Sequence, residues 1–322
     1  MQLDQTHVTI RARTLSEIGD LAMVLIRSYP LAISVGFVVG ALPWAILNMF
    51  ILASIPINEY SIASYDEDME TNLWSYQFLM AILVFVQIPA AGVLTTVYIG
   101  QAIFESRPTW RSVFHETRIT FLRWFWSLGV VRGPVPVMLF VALFWEQDYF
   151  NELLFVWLIT LTIIVLLLRS NRPFMPEILL LERCPLRSKK GSLVITANQR
   201  SKALHRPVAG ELFGRFLAMT ILLTAMAMLG FYSLLWARGI LFGMWEWDAI
   251  VYVVLYPIAL WAAGALSVLI RFLSYLDTRI RLEGWEVQLA VLAETTRQFG
   301  DTDQTLVETR RVPSKNVIEG RI

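Results

Sequence analysis

Residues 169–215, RSNRPFMPEILLLERCPLRSKKGSLVITANQRSKALHRPVAGELFGR, form the long polar stretch between two groups of apolar runs. This stretch, called the insert below, contains ten of the 27 lysine and arginine residues. The whole chain is 56% hydrophobic and only 16% charged, whereas soluble domains average about 25% charged residues. The composition therefore predicts an all-α, polytopic membrane helix bundle, and the insert decides how that bundle is oriented.

Six apolar runs approach the length that a helix needs to cross about 30 Å of hydrocarbon. The third run is interrupted by Arg132, and an arginine near a helix centre costs roughly 2.5–3.5 kcal/mol on insertion scales. The fourth run is short, and if either of these two fails to cross, both would fail together as a hairpin. We predict about six transmembrane helices, at 31–55, 78–104, 124–145, 153–168, 216–236 and 249–270.

Three further segments flank the spans. Residues 1–30 are predicted to contain an amphipathic helix that begins after Thr14, because Thr14 and Glu17 match a capping box. Its apolar face suits either the membrane surface or a position packed under the spans. Residues 271–299 are predicted to form a helix that leaves the membrane, and residues 300–322 a disordered polar tail.

The distribution of charge predicts the orientation. With six spans, 25 of the 27 basic residues collect on one side, and the remaining two are Arg132 and Arg238. The positive-inside rule places that side, which includes both termini and the insert, in the cytoplasm. The single cysteine, Cys184, lies in the insert, and a free thiol there suits a reducing compartment.

No catalytic motif is complete in the sequence. His115 and Glu116 begin an HExxH pattern, but Ile119 stands where the second zinc-binding histidine is needed. Ser201 and His205 lie four residues apart without a recognisable orienting acid or oxyanion donor. We therefore expect no enzyme activity, no metal and no cofactor. A scaffold or a subunit that interacts with lipids or a protein partner is favoured over a transporter, and a lipid-modifying enzyme is the third alternative.

The insert and the last helix are predicted to pack together as a small helical cytoplasmic cap. Asp277–Arg281 and Arg279–Glu283 have the spacing of ion pairs along one helix face. We expect the last helix to dock on Glu177, Glu182 and Arg183, although a solvated charged helix is the alternative. The candidate cap and interaction residues are Glu177, Glu182, Arg183, Arg200, Ser201, Asp277, Arg279, Arg281, Glu283 and Gly284.

Two parts of the insert are predicted to contact lipid. Residues 176–181, PEILLL, either continue the fourth helix or lie on the membrane. The basic cluster gains about 1 kcal/mol per charge near anionic headgroups, but it serves equally well to fix the topology. Its members are Arg183, Arg187, Lys189 and Lys190. A short helix within 191–205 would direct Arg200, Lys202 and His205 outward.

Four stretches carry a family resemblance: LSEIGDLAMVLIRSYPLAI (15–33), RPFMPEILLLERCPL (172–186), QRSKALHR (199–206) and YLDTRIRLEGWEVQLA (275–290). They resemble the membrane domain found beside, or fused to, glycerophosphodiester phosphodiesterases, and related stand-alone six-span proteins of bacteria. The resemblance implies a six-span fold in a bacterial cytoplasmic (inner) membrane. It does not imply the hydrolase reaction, because no segment here is long enough to be the soluble catalytic domain.

Overall fold

A computed structural model of the protein describes residues 14–55, 67–102, 108–144, 154–187 and 195–283. These residues form helices, turns and loops, and no strand occurs among them, so the prediction of an all-α fold is confirmed. The helices are α1 (Leu15–Ser28), α2 (Pro30–Ile51), α3 (Glu67–Ala91), α4 (Val93–Ala102), α5 (Trp110–Ile119), α6 (Phe121–Trp124), α7 (Val135–Phe144), α8 (Leu154–Ser170), α9 (Met175–Leu180), α10 (Ala197–His205), α11 (Ala209–Phe242) and α12 (Tyr256–Glu283).

Two π-helical turns, Phe125–Val131 and Val251–Leu255, precede α7 and α12, and short 3₁₀ turns follow α2 and α10. Five helical stretches of the described chain are long and apolar enough to cross a membrane: Pro30–Ser54, Thr71–Ala91, Phe121–Val141, Ala197–Phe242 and Val251–Glu283. The chain therefore has the helices of a multi-pass membrane protein.

The third and fourth predicted spans differ in helix length. The third overlaps the long apolar stretch Phe121–Val141, which includes Arg132. The fourth corresponds to α8, whose 17 residues extend about 26 Å at 1.5 Å per residue, less than the hydrocarbon thickness of about 30 Å. The second span also starts earlier than predicted and ends at Ala91, where Gly92 separates α3 from α4.

Helix α1 forms as predicted and packs under the spans. Its capping box is complete, with the Thr14 side chain accepting from the Glu17 amide and the Glu17 carboxylate accepting from the Thr14 amide. Of its apolar face, Ile18 and Ala22 are fully buried and join a cluster with residues of α12, among them Phe272. The apolar face of α1 is thus covered by α12.

Helices α2 and α3 approach closely at Gly40. A methyl group placed there would lie 2.0 Å from the carbonyl oxygen of Ala91, and that atom belongs to a rigid helix backbone. One turn or more away, the Asn48 and Gln87 side chains exchange two hydrogen bonds of 2.9 and 2.6 Å, and both are fully buried. The backbones of α2 and α3 are therefore in close contact at Gly40, and a reciprocal amide pair fixes the same two helices.

Gly40→Ala should lower the free energy of unfolding in detergent by about 1–3 kcal/mol, the usual cost of overpacking, because the two helix backbones must separate. Gly214→Ala is the matched control, since Gly214 lies inside α11 with open space around it. That control should stabilise slightly, because alanine is the better helix former. Equal melting temperatures for both variants would show that the α2–α3 contact is not tight.

The insert is folded rather than extended along the membrane. All six residues of α9, Met175–Leu180, are buried. The prediction that this stretch either continues α8 or lies on the membrane surface is therefore wrong. Helix α10 starts with a complete capping box between Thr196 and Gln199. Residues 188–194, which include Lys189 and Lys190, lie outside the described residues. We call the part of the molecule that contains α9 and α10 the insert end of the bundle.

Candidate functional site

The polar end of α12 presents two different faces. An α-helix turns about 100° per residue, so side chains four positions apart share a face and side chains two positions apart lie on nearly opposite faces. Tyr275, Arg279 and Glu283 therefore point one way, whereas Asp277 and Arg281 point the other way. Both ion pairs predicted within this helix are present, at 2.7 Å for Arg279–Glu283 and 2.6 Å for Arg281–Asp277.

The first ion-pair cluster joins the insert to one face of α12. The Glu182 carboxylate accepts two hydrogen bonds from Arg200, of 2.6 and 3.0 Å, and one of 2.6 Å from the Tyr275 hydroxyl. Arg200 also donates to Glu283, which in turn binds Arg279. The cluster thus consists of Glu182, Arg200, Tyr275, Arg279 and Glu283, and Arg200 points into it rather than outward as predicted.

The second ion-pair cluster joins the other face of α12 to the start of α11. Arg215 donates to Asp277 over 2.9 Å and pairs with Glu211 over 2.7 Å. Arg281 bridges the same two carboxylates, at 2.6 Å to Asp277 and 2.9 Å to Glu211. The side chain of Asp277 is 1% exposed, so two guanidinium groups compensate one buried carboxylate. The two clusters together tie α12 to three other segments.

The remaining predicted cap residues have other partners or lie elsewhere. Glu177 pairs with Arg271, the first residue of the segment 271–299, and Glu182 accepts from Tyr275, so two of the three residues expected to meet that segment do contact it. Arg183 instead pairs with Glu116 of α5. Ser201 is buried, and Gly284 lies outside the described residues. Arg183 also has a positive φ of 52°, and its carbonyl accepts from Arg123. The expectation that Arg183 faces the last helix is therefore wrong.

The pKa of Glu182 is shifted by opposing effects. Burial raises it, but the hydrogen bonds from Arg200 and Tyr275 outweigh burial, and the net pKa lies below the ordinary value of 4.5. A carboxyl group whose pKa is lower in the folded state stabilises the fold at every pH above its unfolded value. That stabilisation is lost as the pH falls below 4.5 towards the folded pKa.

We therefore expect Glu182→Gln to lower the melting temperature at pH 7 and to lower it progressively less as the pH falls below 4.5. The measurement is the melting temperature of both proteins in one detergent across that pH range. Glu246→Gln, at an exposed position near the opposite end of the bundle, is the control and should show no such convergence. A difference between wild type and Glu182→Gln that stays constant with pH would contradict the role of the Glu182 carboxylate.

A buried ion pair lies beside the first cluster. The Arg271 Nε atom donates to Glu177 over 2.7 Å, and the two side chains are 10% and 0% exposed. The other oxygen of Glu177 and both terminal nitrogens of Arg271 are buried without a hydrogen-bond partner. One bond therefore neutralises the charge of Glu177 but leaves two N–H-bearing nitrogens of Arg271 available in the interior.

Arg271 lines a cavity of about 550 Å³ between α3, the third apolar stretch, α8, α11 and α12. Most of the wall is hydrocarbon, from residues such as Phe85, Leu223 and Leu260. Along α12 the wall runs from Ser274 to Tyr256, which corresponds to about 27 Å of helix. The cavity is therefore long, and its wall is apolar over most of that length.

One end of this cavity is cationic. Five arginines line it at the insert end, and no acidic residue is among the described residues that line it: Arg132, Arg169, Arg172, Arg215 and Arg271. Arg132 donates to the carbonyl oxygens of Leu168 and Arg172, over 2.7 and 3.0 Å. Arg169 stacks over the Phe85 ring at 4.4 Å, and its Nη1 atom is buried without an acceptor. This cationic end is called the arginine end below.

The arginine end was missed because its members are dispersed in sequence. Arg169, Arg215 and Arg271 each follow or precede an apolar run, where they were interpreted as topology signals. Arg132 was interpreted as a defect in the third span, yet it binds carbonyl groups at the end of α8. An arginine inside an apolar stretch is by itself a signal for a functional site, and it was the one available clue.

Comparison of the chain with protein-family models, with curated proteins and with solved structures finds no match. The two ion-pair clusters use their charges internally and hold the insert end together. The arginine end, in contrast, places arginines with unused buried N–H groups along the wall of a cavity.

Proposed function

We propose that the protein is a non-enzymatic, lipid-interacting membrane protein that binds one anionic amphiphile in the arginine-lined cavity. The observation that carries the proposal is the union of a long hydrocarbon wall with a cluster of arginines at one end of the same cavity. An amphiphile has the same two parts, a hydrocarbon chain and a charged headgroup. Its chain would replace lipid contacts along α3, α11 and α12, and its headgroup would lie at the arginine end.

Energetics favour an anionic occupant. A buried charge without a partner costs several kcal/mol, and a buried N–H group without an acceptor costs about 1–3 kcal/mol. Arg169 and Arg271 both have buried nitrogens of this kind. Oxygen atoms of an anionic headgroup would satisfy these donors and offset the charge, and guanidinium groups bind such oxygens in a bidentate manner. A zwitterionic or neutral headgroup would do so less well.

The proposal includes an orientation. The resemblance and the positive-inside rule support a bacterial inner membrane with both termini and the insert end in the cytoplasm. That topology requires α8 to cross the bilayer as a sixth, short span, which its flanking residues would help to complete. The first and second ion-pair clusters would then form the cytoplasmic cap. Under this orientation the headgroup lies near the cytoplasmic face, and the basic cluster Arg183, Arg187, Lys189 and Lys190 adds attraction for anionic lipid there.

Orientation is tested by labelling. In a Cys184→Ser background, Lys189→Cys should not react with a membrane-impermeant maleimide in intact cells. It should react once the inner membrane has been permeabilised. Ser54→Cys, at the opposite end of the α2 stretch, is the matched control and should react without opening. Labelling of Lys189→Cys in intact cells would place the insert outside and would overturn the proposed topology.

Binding is tested with the full-length protein in nonionic detergent. An anionic phospholipid should raise the melting temperature, because a ligand that binds the folded state stabilises it by mass action. Phosphatidylcholine with the same acyl chains should raise it much less. Arg169→Gln combined with Arg172→Gln should abolish the difference between the two lipids, whereas Arg118→Gln, an exposed control on α5, should preserve it. Identical shifts for both lipids would contradict the proposal.

Transport of the same amphiphile is the second candidate function. It is favoured by irregular helices that adjoin the cavity: the π-helical turn Phe125–Val131 contributes Leu128 and Val131, and α3 ends with Pro89 and Ala91 before Gly92. Such interruptions are typical of transporter sites. Vesicles containing the protein would distinguish the two, since a transporter accelerates movement of a fluorescent lipid between leaflets and a holding protein does not.

A further inference from the structure

We infer that the arginine end selects a lipid phosphomonoester, a headgroup with close to two negative charges, over the phosphodiester headgroups of ordinary phospholipids. This inference rests on the proposed function, because it names the headgroup of the amphiphile in the same cavity. It follows from three features of the arginine end: its net charge, its unused hydrogen-bond donors and the hydrocarbon-lined cavity into which it opens.

The first step is the balance of charge. Arg215 is compensated by Asp277 and Glu211, so it adds little to the field in the cavity. Four arginines remain, and Glu177, which binds Arg271, is the one carboxylate among the described residues that pairs with any of them. The arginine end therefore has a formal charge of +3. A headgroup with one negative charge would leave most of this charge uncompensated, whereas one with two negative charges compensates the larger part.

The second step concerns hydrogen bonds. Three buried nitrogens have no acceptor: Nη1 of Arg169 and both Nη atoms of Arg271. A phosphomonoester presents three strong acceptor oxygens and carries about −1.5 to −2 charges at pH 7. A phosphodiester presents two free oxygens and one charge. The number of oxygens in the monoester thus matches the number of unused nitrogens, and guanidinium forks match the geometry of phosphate.

The third step separates a lipid from a free ion. The arginine end opens into a hydrocarbon-lined cavity, and inorganic phosphate would leave that space empty or filled with unfavourably placed water. A phosphomonoester attached to a hydrocarbon chain fills both parts. The shared chemistry is the phosphate group, and its source is distinguished by including inorganic phosphate in the experiment.

The experiment is a titration of the full-length protein in nonionic detergent at pH 7.5, followed by native mass spectrometry. The probes are dioleoyl phosphatidic acid, dioleoyl phosphatidylglycerol, dioleoyl phosphatidylcholine and sodium phosphate. We expect phosphatidic acid to bind about tenfold more tightly than phosphatidylglycerol, a ratio equivalent to one additional favourable charge contact. The ratio should shrink at pH 5.5, where the monoester loses its second charge because that pKa is about 6.

Arg169→Gln separates binding from structure. Because Arg169 forms no ion pair with a carboxylate among the described residues, removing its charge should leave the melting temperature of the lipid-free protein unchanged or higher. The same variant should lose most of the preference for phosphatidic acid over phosphatidylglycerol. Arg118→Gln should change neither quantity. A residue with only a structural role would lower the melting temperature and leave the lipid preference intact, so that pattern would overturn the inference.

The outcomes distinguish this inference from the proposed function. If phosphatidylglycerol binds as tightly as phosphatidic acid, and Arg169→Gln weakens both, the cavity binds an anionic amphiphile but does not select the monoester. If neither lipid depends on Arg169, the proposed function fails as well. If sodium phosphate competes fully with phosphatidic acid at equal concentration, the ligand is a free anion and the lipid source is wrong.

Discussion

Arg271→Leu should lower the free energy of unfolding by about 3–5 kcal/mol, the usual cost of leaving one member of a buried ion pair without its partner. Its partner, Glu177, is fully buried, and Arg271 is 10% exposed, so water cannot take over the lost interaction. The second oxygen of Glu177 already lacks a hydrogen-bond partner. The result would be measured as a fall in melting temperature and in the denaturant midpoint of the detergent-solubilised protein.

Two variants make that expectation specific. Glu177→Leu combined with Arg271→Leu should recover most of the lost stability, because no uncompensated charge remains in the interior. Arg238→Leu, which breaks the pair with Asp248 at the opposite end, should cost about 1 kcal/mol or less, since Asp248 is 37% exposed and solvent screens the pair. If Arg271→Leu costs no more than Arg238→Leu, the pair at the insert end is not buried.

Arg281→Glu should be the second most disruptive change, with an expected loss of about 2 kcal/mol. The arginine bridges Asp277 and Glu211, and the substitution would place a third carboxylate between them. The expected loss is below that for Arg271 because the Arg281 side chain is 29% exposed and Glu211 is 45% exposed. The melting temperature in detergent measures the effect.

Arg118→Glu provides the matched charge reversal for that experiment. Arg118 is exposed on α5, so the substitution should change stability little. A loss of stability for Arg281→Glu that is no larger than for Arg118→Glu would show that the polar end of α12 is not docked against α11.

The polar end of α12 shows how far sequence reasoning extends. The spacing of Asp277, Arg279, Arg281 and Glu283 predicts the two ion pairs within the helix, because local spacing fixes which side chains meet. The same spacing does not reveal which outside residues each face will meet. Glu182 was among the expected partners, but Glu211 and Arg215 were assigned to a loop before the fifth span. Their role depends on how α11 packs beside α12, which only the tertiary structure shows.

The arginine end shows where sequence reasoning stops. Arg132 lies in the turn before α7, and Arg169 and Arg271 lie in α8 and α12. Each has an ordinary explanation as a topology signal or a weakness of a span. They become a site because they line one cavity, and Arg132 reaches the carbonyl groups at the end of α8. Helix α9 is a similar case, since an apolar hexapeptide is equally compatible with lipid contact and with burial under a polar cap.

Photo-crosslinking with a phosphatidic acid that carries a diazirine in its acyl chain tests most directly whether an amphiphile occupies the cavity. Full-length protein would be crosslinked in membranes and the adducts located by mass spectrometry. The account predicts adducts on cavity residues such as Phe85 and Met219, and their loss in Arg169→Gln but not in Arg118→Gln. Adducts confined to outward-facing residues such as Leu42 and Ile221, which are 55% and 64% exposed, would contradict it.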